Sequence, residues 1–289
     1  MMTVFQLAAI GGPAVAGLLL SGSGGPAPAA PRGLALVYGL NAVSFLAVIA
    51  ALLSMKVSGE IHAGAGYEGP IRALKEGFRF VFTSPVIAWT MLIDFFATFF
   101  AGSMSLLPIF ADQVLKVGPH GYGWLRAAPG IGAAIGSAAL AFRSLPRRQG
   151  PVFLWAVAAY GAATAAFGLS RSFPLMLAAL VGVGLSDTVS TVVRQTVRQL
   201  ATPDALRGRV TSVNMIFFQG GPQLGELEAG IVASLFASAA LGATVAVASG
   251  GVATLLAAAF VAWRAPFLRR YDVEPGLRPA PQPSSAAAS

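Results

Sequence analysis

The chain has 289 residues, 56% of them hydrophobic and only 10% charged, against roughly 45–50% and about 25% in an ordinary soluble domain. Cysteine is absent, and the two histidines, His62 and His120, fall in expected loops, so no disulfide, thiolate or cysteine nucleophile is available and a zinc enzyme is disfavoured. The net charge of +8 sits in short bursts between apolar runs, a membrane-topology pattern that argues against nucleic acid as a partner.

A helix crossing about 30 Å of hydrocarbon needs about 20 mostly apolar residues. Eight segments meet this requirement: 4–20, 34–53, 86–110, 122–142, 152–169, 174–197, 210–236 and 241–263. They predict an all-α polytopic protein embedded in the lipid bilayer. The first segment could be read as a signal peptide, but no basic residue precedes its apolar core, so an uncleaved span is expected. The Pro/Ala/Ser-rich stretch 21–33 and the tail after Arg270 are expected to be flexible.

The loop between the second and third spans is the longest. Within it Ile71, Leu74, Phe78 and Phe82 recur at helical spacing opposite Arg72, Lys75, Glu76 and Arg79, predicting an amphipathic helix on the inner leaflet. Ser84 and Pro85 then form an N-cap and first-turn proline for the third span. The layout is a helix pair (1–53), a linker with its amphipathic helix (54–85), a six-helix unit (86–264) and a tail (265–289).

Loop charge sets the orientation. The loops 54–84, 143–150 and 198–209 and the tail from 264 hold most of the lysine and arginine, including Arg207 and Arg209 just ahead of the seventh span. The alternate loops hold only Arg32, Lys116 and Arg171, with Arg126 just inside the fourth span. The basic loops are therefore expected in the cytoplasm, with both termini.

An internal repeat gives the spans a meaning. Gly11-Gly12-Pro13 of the first span recurs as Gly220-Gly221-Pro222 in the seventh, and Thr3-Val4 matches Ser212-Val213 at the same offset. Copies six spans apart that enter from the same side fit two similar six-span halves. On that reading the chain holds spans five to twelve, and four more are expected upstream. An internal start, a gene fragment or a split protein is then expected, with a separate chain to supply the missing four.

Gly12-Pro13-Ala14-Val15-Ala16-Gly17 resembles the fifth-span antiporter signature of major facilitator exporters. Glu76-Gly77-Phe78-Arg79-Phe80-Val81, Asp94-Phe95-Phe96-Ala97-Thr98-Phe99-Phe100, Gly121-Tyr122-Gly123-Trp124-Leu125 with Ala128-Pro129-Gly130, and Pro203-Asp204-Ala205-Leu206-Arg207-Gly208-Arg209-Val210 resemble the enterobactin-exporter and macrolide-efflux branch. The resemblance implies a major facilitator fold in a bacterial plasma (inner) membrane. It also implies export of a small, partly hydrophobic substrate such as a siderophore or antibiotic, by proton antiport through alternating access. The superfamily's basic second-to-third-span loop falls in the missing part; its degenerate counterpart, 143–150, lacks the usual acidic residue.

Charges inside an apolar bundle need a reason, because each costs about 2.5–3.5 kcal/mol at mid-bilayer on insertion scales. Asp94 shares a stripe with Thr98, Gly102 and Ser105, opposite Phe95, Phe96, Phe99 and Phe100, and is a candidate proton carrier if buried. Asp187 shares a face with Thr191, Arg194 and Arg198, where charge pairing with Arg194 is expected ahead of proton coupling. Gln219, Gln223 and Glu226 align along the seventh span as cavity-lining candidates, while Glu228 lies about 200° round from Glu226. Arg126 is expected to snorkel outward, with binding of an anionic substrate as the competing role.

Gly130, Gly132 and Gly136 imitate a dinucleotide-binding loop, but no strand precedes them; they and Gly182 and Gly184 predict close helix packing. No cofactor is implied. An intramembrane aspartyl protease built on Asp94 and Asp187 fails both of its expected local signatures, and no serine elbow, HExxH or phosphate loop occurs. Besides the exporter, a transporter-derived membrane scaffold or regulator without transport activity is the competing reading.

Overall fold

The computed structural model describes residues 31–54, 69–102, 104–142 and 148–271. The first span, with Gly12, Pro13 and Gly17, lies outside the described residues, as do His62 and the tail beyond 271. The described chain is helical almost throughout: α1 (Pro31–Ser54), α2 (Pro70–Thr83), α3 (Pro85–Phe100), α4 (Gly118–Phe142), α5 (Gln149–Leu169), α6 (Phe173–Ala201), α7 (Arg207–Ser234), α8 (Ala239–Arg264) and a final turn, α9 (Pro266–Arg269). Proline stands in the first turn of α2, α3, α6 and α9, where its missing N–H has no helical partner to lose. Ser84 caps α3 by position, as the sequence predicts, but its side chain makes no capping hydrogen bond.

Five described helical segments are long and apolar enough to cross a membrane: Pro85–Val114, Gly118–Phe142, Gln149–Leu169, Phe173–Ala201 and Ala239–Arg264. α7 is equally long at 28 residues, but Asn214, Gln219, Gln223, Glu226 and Glu228 make it more polar. Every described side chain of α1 is exposed. Several helices overrun their predicted apolar spans; α6 continues from Val197 to Ala201 and α5 starts at Gln149 rather than Val152. Their polar ends keep helical hydrogen bonds where apolar residues are no longer needed.

The third span departs from the single helix expected over 86–110. α3 stops at Phe100, and the chain resumes as a 3-10 turn at Met104–Leu106, one α-turn at Leu107–Ile109 and a π-turn at Phe110–Val114. Pro108 explains part of this break, since it has no N–H to carry a continuous ladder back to residue 104. Lys116 (φ 54°) and Gly118 (φ 65°) then adopt the left-handed conformation that turns the chain into α4.

The bundle is built on the packing of α4 on α6, α5 on α8 and α3 on α7. α5 also packs on α6, and α3 on α8. Exchanging α3, α4, α5 for α6, α7, α8 carries each of these contacts into itself or another of the set, the relationship expected of an inverted three-helix repeat. The contact of α7 with α8 departs from it, since α4 and α5 do not pack comparably. The apolar core divides by depth. One cluster, with Leu107, Phe110, Leu125, Phe167, Met176 and Leu180, fills the end away from the basic loops. A second, with Ile93, Phe153, Val157, Val193, Val197 and Leu268, fills the basic end. A third joins α2, α3 and α7 through Val81, Ile87, Met91, Val210 and Val213.

Glycine sets the tightest crossings. A Cβ on Gly184 would sit 1.9 Å from the Pro129 carbonyl oxygen, and one on Gly132 would sit 2.0 Å from that of Val181. These glycines of α4 and α6 therefore serve close helix approach, as their apolar setting predicts. Gly182 does not share the role, because a Cβ there meets only Ala163 at 3.4 Å.

Candidate functional site

Asp94 lies more than two turns into α3, and the Asp94 carboxylate forms an ion pair with the Arg194 guanidinium on α6. The two side chains are only 5% and 8% exposed, so the pair is held almost wholly out of water. Arg194 Nη2 also donates to Thr191 Oγ1 at 2.9 Å, while its Nε has no partner. Neither charge is stable alone in such surroundings; each makes the other tolerable. The partner expected for Arg194 from same-helix spacing was Asp187. Instead, Arg194 turns to α3, and Asp187 is left on an exposed face of α6.

The chain around Asp94 explains its placement. Thr98, one turn on, donates its hydroxyl to the Asp94 carbonyl at 2.8 Å and to that of Phe95 at 3.1 Å. α7 lies close above it because Gly221 and Gly225 have no side chains. A Cβ on Gly221 would come within 2.4 Å of Thr98 Oγ1, and one on Gly225 within 2.2 Å of the Phe99 carbonyl oxygen. The Gly220-Gly221-Pro222 repeat thus works at a helix crossing. On the remaining side, Thr254 of α8 donates to the Ala97 carbonyl at 3.3 Å. Asp94 is buried, Thr98 half-buried and Ser105 exposed, so only part of the predicted polar stripe faces the interior.

The other candidates occupy open faces. Gln219, Gln223 and Glu226 are exposed along α7, whose buried edge is the small-residue series Gly221, Gly225, Ala229 and Ala233. Glu228, on the far side from Glu226, is half-buried, and Arg126 of α4 is exposed. Among the described residues, no hydrogen bond or ion pair joins Asp187, Arg126, Gln219, Gln223 and Glu226 to one another, and no group of three His, Asp or Glu side chains could hold a metal ion.

Near the N-terminus of α7 the arginines have specific partners. Arg207 pairs with Asp204 at 2.6 Å, and Arg209 pairs with Glu76 of α2. Gly77 sits against the Arg209 carbonyl, where an added Cβ would lie 2.8 Å from the oxygen. The predicted apolar stripe of α2 is therefore shared. Gly77 and Val81 are buried and Leu74 and Phe78 half-buried, while Ile71 and Phe82 stay exposed beside Lys75 and Arg79. Helical spacing gives the amphipathic stripe, but not which edge of it α7 covers.

The transmembrane secretion effector family matches residues 3–286. The enterobactin exporter EntS of Escherichia coli O1:K1 / APEC is 31% identical over 215 residues, covering 74% of this chain and 48% of that relative. The EntS proteins of E. coli O127:H6 (strain E2348/69 / EPEC) and O139:H28 (strain E24377A / ETEC) are 31% and 29% identical, with the same 74% and 48% coverage. The chain spans about half the length of these curated relatives. A multi-span chain, helical almost throughout its described residues and matched over nearly its whole length by this family, is an inner-membrane protein, and it belongs to the transmembrane secretion effector family of the major facilitator superfamily.

Proposed function

We propose that the protein takes part in exporting a small, partly hydrophobic compound, a siderophore or an antibiotic, by proton antiport with alternating access. The observation that carries this reading is the buried Asp94–Arg194 pair. A carboxylate bound to an internal guanidinium can exchange that partner for a proton only if the guanidinium released is taken up elsewhere. Arg194 left buried without a counter-charge is itself unstable, so protonation of Asp94 obliges Arg194 to move towards water or an anionic group. The exchange loosens α3 from α6, and these helices belong to different three-helix repeats. Proton binding is thereby linked to a change in helix packing.

Substrate contact is assigned to the open faces. Gln219, Gln223 and Glu226 of α7 offer donors and acceptors along one line, Asp187 adds a negative group on α6, and Arg126 a positive one on α4. In this reading the six-helix unit 86–264 supplies one wall of the cavity. The helix pair 1–53, with four further spans, supplies the other, and both termini lie in the cytoplasm. The relatives named as enterobactin exporters support a siderophore as the first substrate to try.

The test is efflux from cells that lack their own exporters and express the chain alone or with candidate complementary spans. Energy-dependent loss of labelled siderophore or macrolide is expected, reduced at least tenfold by Asp94→Asn. If no combination moves either compound while the protein is folded in the membrane, the exporter reading fails and the scaffold reading replaces it.

A further inference from the structure

On the outer side of the bundle, α5 and α8 leave an open trough of about 430 Å³. Small side chains line much of it, Ala158 of α5 and Ala258, Ala259 and Ala262 of α8, with Ala258 buried at the floor, and Trp155 lines it too. Every lining residue is apolar except Arg269, which closes the trough at the basic end of the bundle. From Ala158 back to Pro151 the lining runs about 10 Å along the helix. Trp155 is 76% exposed, so the trough opens away from the protein.

Arg269 is held there by design of the backbone. Gly150, in the first turn of α5, donates its N–H to the Tyr271 carbonyl at 3.3 Å. It also approaches the Leu268 carbonyl so closely that a Cβ would lie 1.6 Å from the oxygen. Leu268 is 1% exposed and anchors α9 in the core. Arg269, next in sequence, is exposed, and no acidic side chain among the described residues pairs with it. Arg148, Arg264 and Arg270 are exposed at the same end.

An apolar trough open to the membrane, closed by one fixed cation at the level of the basic loops, is complementary to one kind of occupant. We infer that it binds an anionic phospholipid, with an acyl chain along the alanine floor and the headgroup phosphate on Arg269. The site is independent of Asp94 and of the open faces of α6 and α7.

The test uses Trp155 as a reporter. Replacing Trp89, Trp124 and Trp263 with phenylalanine leaves it the sole tryptophan of the four in the chain. The full chain is reconstituted in phosphatidylcholine vesicles carrying a small fraction of dibrominated phosphatidylglycerol or dibrominated phosphatidylcholine. Quenching of Trp155 is expected to report about a fivefold preference for phosphatidylglycerol, the effect of one basic side chain near a membrane surface. Arg269→Gln should abolish that preference and Ala259→Leu should reduce quenching by both lipids, whereas Arg270→Gln, outside the trough, should leave it in place. Equal quenching by the two lipids in the parent, or equal losses in Arg269→Gln and Arg270→Gln, would overturn the site in favour of diffuse surface charge. Lipid retention in native mass spectrometry, with all four tryptophans intact, gives a second reading: phosphatidylglycerol held over phosphatidylcholine, and lost with Arg269→Gln. Absence of that difference overturns the proposal equally.

Discussion

Asp94 of α3 and Arg194 of α6 form an ion pair inside the bundle, with side chains 5% and 8% exposed. Removing one member leaves the other buried and uncompensated, a loss of about 3–5 kcal/mol where water cannot reach. Arg194→Ala and Asp94→Ala are therefore expected to unfold at lower denaturant than the parent in detergent. The double variant Asp94→Asn/Arg194→Gln should recover most of the difference. Singles as stable as the parent would mean the pair is not buried.

Two glycines of α6, two residues apart, should behave oppositely. Gly184→Ala puts a methyl 1.9 Å from the Pro129 carbonyl oxygen, so α4 and α6 must separate, at about 1–3 kcal/mol. Gly182→Ala meets only Ala163 at 3.4 Å and should be neutral, or stabilising by up to about 1 kcal/mol. Thermal unfolding of the two variants checks the contrast; equal effects would contradict the glycine-mediated crossing.

The contrast also separates what the amino-acid sequence dictates from what only packing decides. Apolar length alone places the helices, because the bilayer demands about 20 apolar residues per crossing. It does not fix how each helix is rotated against its neighbours. Asp187 and Arg194 share a face by spacing, but Arg194 bonds across to Asp94, a choice settled by the packing of α6 on α3. The same limit hides Glu76 as the partner of Arg209, since a charge on an amphipathic linker looks solvent-facing until α7 is set beside it. Gly132 and Gly184 were legible as packing residues; Gly182 stands apart because, two residues from Gly184, it lies on another face of α6 and looks towards Ala163 of α5.

Glu76 and Arg209 tie α2 to α7 with side chains 45% and 29% exposed. An ion pair that open to water contributes about 0.2–1 kcal/mol, so Glu76→Gln should loosen α2 without unfolding the protein. Hydrogen exchange at residues 71–83 should rise severalfold, while α3 and α7 keep their protection. Gly77→Val, which drives a larger side chain onto the Arg209 carbonyl, should produce the greater effect. Unchanged exchange in both would show that α2 is held by other contacts.

Orientation can be tested directly, because the chain contains no cysteine. Ser172 and Ala205 are both exposed, one in a loop poor in basic residues and one beside the arginine-rich start of α7. With the basic loops in the cytoplasm, Ser172→Cys should react with an impermeant maleimide in intact spheroplasts. Ala205→Cys should react only after permeabilisation, and the reverse pattern would invert the topology.

In the proposed mechanism Asp94 exchanges Arg194 for a proton during export. The most direct measurement of this exchange is proton movement in proteoliposomes containing the chain, with any complementary spans that efflux requires, loaded with a pH-sensitive dye. With parent protein, adding substrate on one side should drive proton flux the opposite way. With Asp94→Asn, substrate should still exchange down its gradient while the coupled proton signal disappears. A proton signal of parental size in Asp94→Asn would contradict the exchange and return the Asp94–Arg194 pair to a purely structural role.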